Sequence, residues 1–277
     1  MIKTIADLRA ASATEIQDIL AKIDLRGTVL RQIRRDAKRV TPSLAEYNVL
    51  KAQVRSQHCP TCAGTGEVTP KLRSVGGIHP SGAHKCRTRQ YFDVVADVST
   101  TEELDPDLFI TFEIGHAVHA IVQKVLHRAL GPKFHDEVLV QLDEALVDGG
   151  SADGEWNEDD WRMVIELKTM GAQFLKLGSP KPEHKLQATI YAKARDAPFI
   201  GFLYIHKENS EMKQFILPYD DRIYQDWLVE KVRPIEKGLE TGVPPVADAT
   251  SYECAQCPYG GSCEQKVGKK DAFQGRR

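Results

Sequence analysis

Between positions 153 and 191 the chain carries residue types that hydrolytic metal chemistry uses: Asp153, Glu166, Lys168, Gln187 and Tyr191. MVIELK is apolar up to Ile165 and then presents Glu166, Leu167 and Lys168. In a strand, alternate side chains share a face, so Glu166 and Lys168 point one way and Leu167 points into the core. Asp153 lies in the turn-rich run GGSADG. A hairpin turning between Asp153 and Trp161 would bring it beside Glu166. Two carboxylates and an ammonium would then converge where a hard divalent cation and an activated water could sit. Gln187 and Tyr191, at i and i+4 of a predicted helix, can face the same spot. Alone, the triplet equally describes a solvated hairpin.

A second chemistry belongs to the cysteines. Cys254, Cys257 and Cys263 stand at Cys-x2-Cys-x5-Cys, with Pro258, Gly260 and Gly261 for turns. Three thiols so close call for a soft metal, and Cys86 can supply a fourth from far away in sequence. Four thiolates suit zinc or a four-iron cluster, and spacing does not choose. Cys59 and Cys62 form a separate Cys-x2-Cys knuckle, which His79 and His84 could complete as a zinc site; free thiols are the other reading.

These residues need elements to hold them. Thr14 can cap a first helix with Ile16, Ile19, Leu20 and Ile23 as its buried stripe. Further helices are predicted from Thr28 to Arg39 and from Pro42 to about Arg55. Ser81 caps a helix with Cys86 in its first turns. A long helix spans Asp107 to Leu130, burying Ile114, Val118, Ile121, Val122 and Val125, with Gly115 open to close approach of another backbone. Its His116 and His127 are read as structural. Strands follow near 137–147, 151–157 and 161–168, then a helix over 182–195, strands over 199–206 and near 213–217, and a helix near 220–238. That alternation predicts an α/β sandwich with a central mixed sheet.

At 277 residues the chain can hold one sizeable domain plus an appendage. No run of eighteen apolar residues spans a membrane, and MIKTIADLRA lacks a signal-peptide core, so a cytoplasmic protein is expected. Residues 1–90 hold 16 Lys and Arg against 7 Asp and Glu; the remainder holds 21 against 32. A basic N-terminal third is what contact with nucleic acid would use, although Arg31, Arg34, Arg35, Lys38 and Arg39 also fit a solvated helix face.

Taken in order, Cys86, Gly115-x3-His119, Asp153, Glu166-x-Lys168, Gln187-x3-Tyr191 and Cys254-x2-Cys257-x5-Cys263 resemble the RecB-like branch of the PD-(D/E)XK nuclease superfamily. The match is to its iron–sulfur members, the CRISPR-associated adaptation exonucleases and AddB-type nuclease domains, from about Ser81 to Glu264. The resemblance implies that His119, Asp153, Glu166 and the Leu167 carbonyl bind Mg²⁺ or Mn²⁺. It implies that Lys168 positions or deprotonates the attacking water, and that Gln187 and Tyr191 orient that lysine and the DNA. Cys86, Cys254, Cys257 and Cys263 would hold a 4Fe-4S cluster.

The expected organisation is a basic helical extension over 1–56, a knuckle and linker over 57–80, and the nuclease domain with its cysteine-rich tail over 81–277. The expected activity is a metal-dependent DNA exonuclease on single strands or ends, serving recombination, repair, phage DNA metabolism or CRISPR adaptation. A helicase, recombinase or annealing protein is the expected protein partner, since the chain has no Walker A loop to drive unwinding itself. Two other readings stand beside it: a non-catalytic iron–sulfur or zinc DNA-binding subunit recruiting a helicase or recombinase, and a zinc protein with no DNA role.

Overall fold

The computed structural model of the protein describes residues 1–39, 77–95, 106–142, 144, 146–261 and 263–265. Cys59, Cys62 and the helix expected from Pro42 lie outside the described residues.

The architecture is α/β, with a five-stranded mixed sheet flanked by helices. Strands β1 (Phe134–Val140), β2 (Gly150–Asn157), β3 (Arg162–Met170), β4 (Phe199–His206) and β5 (Met212–Pro218) lie side by side in chain order. Only β3 and β4 are parallel. A parallel pair needs a crossover, and the helix Pro182–Ala194 makes it. Every residue of β4, FIGFLYIH, is buried, as a strand covered on both faces requires. Its bounds match the expected strand. β1 instead begins at Phe134 rather than near 137, and ends at Val140. The Phe134 ring fills the space over Gly154, where a Cβ would come within 2.5 Å of it, and Val147 is taken by a bridge to Ile78.

Eight more helices complete the described residues. In chain order they are α1 (Ile5–Ala10), α2 (Ala13–Lys22), α3 (Leu25–Arg39), α4 (Arg87–Val95), α5 (Pro106–Leu130), then the crossover helix as α6, α7 (Asp221–Trp227), α8 (Arg233–Thr241) and α9 (Ser251–Ala255). The sequence reading passed over α1, and α2 is capped by Ser12 rather than Thr14. In both helices a reciprocal capping box fixes the start, Thr4 with Asp7 and Ser12 with Glu15. α3 begins three residues earlier than expected because Leu25 and Val29, one turn apart, are fully buried. Ile2, Ile5, Leu8, Ile19, Ile23, Leu25 and Val29 share one core with the sheet. On α3, Arg31 pairs with Asp24 at 2.8 Å, whereas Arg34 and Arg35 are exposed.

Ser81 does not cap a helix. It lies in a short 3-10 turn, Pro80–Gly82, capped by the His79 side chain, and Cys86 immediately precedes α4, its carbonyl accepting from Gln90 N at 3.0 Å. The helix expected near 220–238 is realised as α7 and α8 joined by a π-helical turn, Leu228–Val232. A second core forms there, with Trp227, Val232 and Ile235 packed against Tyr91 and against Ile190 of α6.

The expected stripe of α5 is only partly correct. Val122, Val125 and Leu126 are buried, but Ile114 is 47% and Ile121 61% exposed. The buried face is turned toward His119 and Gln123, so polar groups occupy positions that periodicity would give to apolar ones. His116 is exposed beside Glu113, and His127 lies 3.1 Å from Asp136 with its ring edge-on to Phe134, in keeping with structural roles. No helix among the described residues is long and apolar enough to cross a membrane.

Candidate active site

Asp153 sits within β2, in line with the strand expected over 151–157, and the chain reverses between Asp153 and Trp161 as expected, where Glu158 N donates to Trp161 O at 2.8 Å. The glycines that suggested a turn have packing roles instead. Gly154 makes room for Phe134, and Gly150 for Tyr191, whose ring a Cβ would meet at 3.2 Å.

The β2–β3 ladder pairs Glu155 with Val164 and Gly154 with Ile165, so the next position sets Asp153 opposite Glu166. There a side chain replaces the backbone acceptor: Leu167 N donates to Asp153 Oδ2 at 2.6 Å. The other carboxylate oxygen lies 3.2 Å from His119 Nδ1. Burial disfavours a protonated His119, but the hydrogen bond and charge of Asp153 outweigh it and raise the imidazole pKa above its ordinary value.

Glu166 is only 1% exposed, and its Oε2 has no hydrogen-bond partner among the described residues. The Lys168 ammonium stands 2.5 Å from Oε1 as an ion pair. Desolvation dominates all the same, pushing Glu166 up to about 7. Lys168 shows the reverse balance: burial lowers its pKa, and the Glu166 charge more than restores it, leaving it raised. Its Nζ donates to Gln187 Oε1 at 3.2 Å, and Gln187 Nε2 donates to Tyr191 Oη at 3.2 Å. Burial, then the Glu166 charge, raises Tyr191, so it stays a neutral phenol. Leu167 is fully buried, as the alternation requires.

The six sequence-derived positions His119, Asp153, Glu166, Lys168, Gln187 and Tyr191 thus form one connected cluster. Three others were missed. Gln123, one helical turn after His119, donates from Nε2 to Asp153 O and to Glu137 Oε1, both at 2.9 Å. His184, three residues before Gln187, places Nδ1 2.9 Å from Tyr204 Oη, and burial followed by the Lys168 charge lowers it to about 4. The i+4 and i−3 spacings to recognised residues were the available signals for Gln123 and His184. Glu137 had none.

As placed, no three His, Cys, Asp or Glu side chains among the described residues converge closely enough to hold a metal ion. The donor chemistry nonetheless fits a hard cation. A buried carboxylate with one oxygen unpartnered, and a second carboxylate directly across the ladder, is a set that a divalent ion would neutralise.

Cys86, Cys254, Cys257 and Cys263 are gathered elsewhere. All four are free thiols, half-buried, and line one cavity of about 180 Å³ with Phe92 and Tyr259. The C-terminal segment is docked there by polar contacts: Thr88 Oγ1 donates to Pro245 O at 2.7 Å, Arg87 N to Asp248 Oδ1 at 2.9 Å, and Tyr259 Oη to Asp93 Oδ1 at 2.9 Å. Arg87 Nε reaches Val246 O at 2.5 Å, and Lys231 pairs with Asp248.

No protein-family model matches the sequence, and no curated protein matches it. Among solved structures, the chain is similar to SSO0001, with a TM-score of 0.44 and 19% identity over 74% of this chain and 91% of that one. It is also similar to an alkaline exonuclease, LHK-Exo, from Laribacter hongkongensis, with a TM-score of 0.39 and 16% identity over 61% of this chain and 94% of that one. The complex of LHK-Exo with dAMP gives 0.41 and 17% over the same shares. Likeness at these scores assigns no activity to this chain.

Proposed function

We propose that the protein is a divalent-metal-dependent DNA exonuclease acting on single strands or exposed ends. The supporting observation is Glu166, buried beside Asp153 with Lys168 on one carboxylate oxygen and no partner for the other among the described residues. A buried carboxylate in this state is costly in a purely structural setting. A site that takes up a cation gives it a purpose.

Asp153 and Glu166 would hold Mg²⁺ or Mn²⁺ with the Leu167 carbonyl, and His119 would orient or join Asp153. The ion would supply charge neutralisation of the phosphodiester and a more acidic water. The chain's own groups divide the remaining work. His119 and Leu167 N hold the Asp153 carboxylate from two sides. Gln187 accepts from the Lys168 ammonium, and Tyr191 accepts from the Gln187 amide. Lys168 is thereby aimed at the attacking water or at a phosphate oxygen. Glu166's charge keeps Lys168 protonated, and neutralising that carboxylate would make the ammonium a better proton donor and the amine a more accessible base.

In the same reading, Cys86, Cys254, Cys257 and Cys263 ligate a 4Fe-4S cluster that ties α4 to the C-terminal segment. Its support is that four thiols from two distant parts of the chain line one cavity.

The test is DNA labelled at either end, single- and double-stranded, with Mg²⁺, with Mn²⁺ and with chelator. Metal-dependent shortening from an end is expected. Binding without cleavage under every metal condition would reduce the protein to a DNA-binding subunit. Neither binding nor cleavage would overturn the DNA role.

A further inference from the structure

Gln123 and Glu137 take no part in the chemistry proposed above, yet Gln123 touches the residue at its centre and Glu137 touches Gln123. Gln123 is 7% exposed, a buried amide on α5 one turn beyond His119. Its Nε2 donates at once to the main-chain oxygen of Asp153 and to Glu137 Oε1. Glu137 Oε2 in turn accepts from Ser151 Oγ at 2.9 Å. Both carboxylate oxygens of Glu137 are therefore engaged by protein donors.

The backbone supplies an independent observation. Glu137 has φ 46°, in the left-handed region that suits glycine, in the middle of β1. The pairs Asp136–Gly154 and Val138–Ala152 flank it, so it lies directly opposite Asp153. An unfavourable conformation kept by a non-glycine residue at that point needs a compensating role.

We infer that Gln123 and Glu137 are positioning residues that lock the Asp153 peptide, with Ser151 bracing Glu137. His119 and Gln123 grip Asp153 from one helix, at the carboxylate and at the carbonyl, and Glu137 holds the gripping amide. The inference rests on the reading of Asp153 as a cation ligand. Outer partners of metal ligands commonly change affinity by about 10–100-fold when removed.

The test uses the full chain and Mn²⁺ itself, read by electron paramagnetic resonance of free Mn²⁺, with DNA cleavage and thermal melting in parallel. Gln123→Leu should raise the Mn²⁺ half-saturation by roughly 10-fold or more and lower kcat with KM for DNA little changed. Glu137→Gln, which keeps an oxygen acceptor for Gln123, should stay within about threefold of the parent, well short of a full outer-partner loss. Glu137→Gly should weaken Mn²⁺ much as Gln123→Leu does while melting at or above the parent temperature, because it relieves the left-handed φ. Weaker metal binding without lower stability is an outcome that a merely structural role would not produce. Parent-like Mn²⁺ binding by Gln123→Leu and Glu137→Gly would overturn the inference alone, as would losses that only track a lowered melting temperature. A parent protein that binds no Mn²⁺ would overturn the metal-site reading and the inference with it.

Discussion

Asp153, Glu166, Lys168, Gln187 and Tyr191 come from adjoining strands and the one helix that connects β3 to β4, and they are linked by hydrogen bonds and ion pairs of 2.5–3.2 Å. The cysteine cavity joins Cys86 to Cys254, 168 positions later, across a short helix and a 3-10 turn, Pro258–Gly261. In the first region regular structure does the positioning, and burial creates a charge that asks for a partner. In the second, docking contacts to loop carbonyls bring the thiols to a common wall, and the thiols do not converge closely as placed. Precision in the first should therefore survive without its ion, whereas the second should depend on what it binds.

The largest effects should come from breaking the first region's chemistry without touching its fold. Lys168→Ala and Asp153→Ala should each lower cleavage by on the order of 10³-fold. DNA binding, followed by fluorescence anisotropy, should be nearly unchanged for Lys168→Ala. Cleavage near the parent rate by either purified variant would place the active site elsewhere.

Cys86→Ala should act in the opposite sense, on stability first. A clip closing so long a loop removes several kcal/mol, about 5 by loop-closure arithmetic, from the unfolded state's advantage. Protein purified without oxygen should be brown, and Cys86→Ala should bleach it and lower its melting temperature, while Cys59→Ala stays brown. A colourless parent containing stoichiometric zinc and no iron would replace the cluster with zinc and leave the first region's chemistry intact.

A smaller effect should appear in the pH dependence of stability in the presence of chelator. Glu166 has a folded pKa of about 7, raised mainly by desolvation from an ordinary 4.5. Between those values the folded state holds the extra proton, so stability should fall as pH rises from about 4.5 to 7, by at most about 3 kcal/mol. His119, also raised, loses its contribution in the same direction as pH climbs through its folded pKa. The difference between the parent and Glu166→Gln in denaturant melts therefore isolates the carboxylate. Equal slopes for the two would show that Glu166 is not strained by burial.

The smallest expected change is at Gly115. A Cβ there would meet only Thr169 Oγ1, at an ordinary 3.6 Å. Gly115→Ala should stabilise α5 by up to about 1 kcal/mol with activity unaltered, measured by melting and by cleavage. Lost activity would mean that the glycine leaves room for substrate.

How much could be read beforehand follows the same division. β4 and the Glu166–Leu167–Lys168 alternation were legible because periodicity and burial agree there. α6 was legible because Pro182 starts it and the Gln187–Tyr191 spacing continues it. The strand holding Asp153 was legible over 151–157 despite its glycines, whose reason, room for the Phe134 and Tyr191 rings, was not. The face of α5 was misjudged because half-buried His119 and buried Gln123 turn toward the cluster, where site chemistry overrides the apolar pattern. Glu137 could not be foreseen, since nothing in a sequence announces a left-handed glutamate within a strand.

The sheet's strand order carries a kinetic consequence. Three of its four strand pairings are antiparallel, and the single parallel pairing, β3 with β4, encloses α6 between them. Folding is fast where contacts are close in sequence, and residues 153–206 form such a block. Asp153, Glu166, Lys168, Gln187 and Tyr191 all belong to it, so most of the cluster should assemble early, as one cooperative unit, with His119 of α5 arriving when that helix docks. The wall of thiols must wait for the last of these residues to be synthesised, near position 263. On a ribosome, hydrogen-exchange protection would therefore be expected to reach the carboxylates well before the cysteines have met.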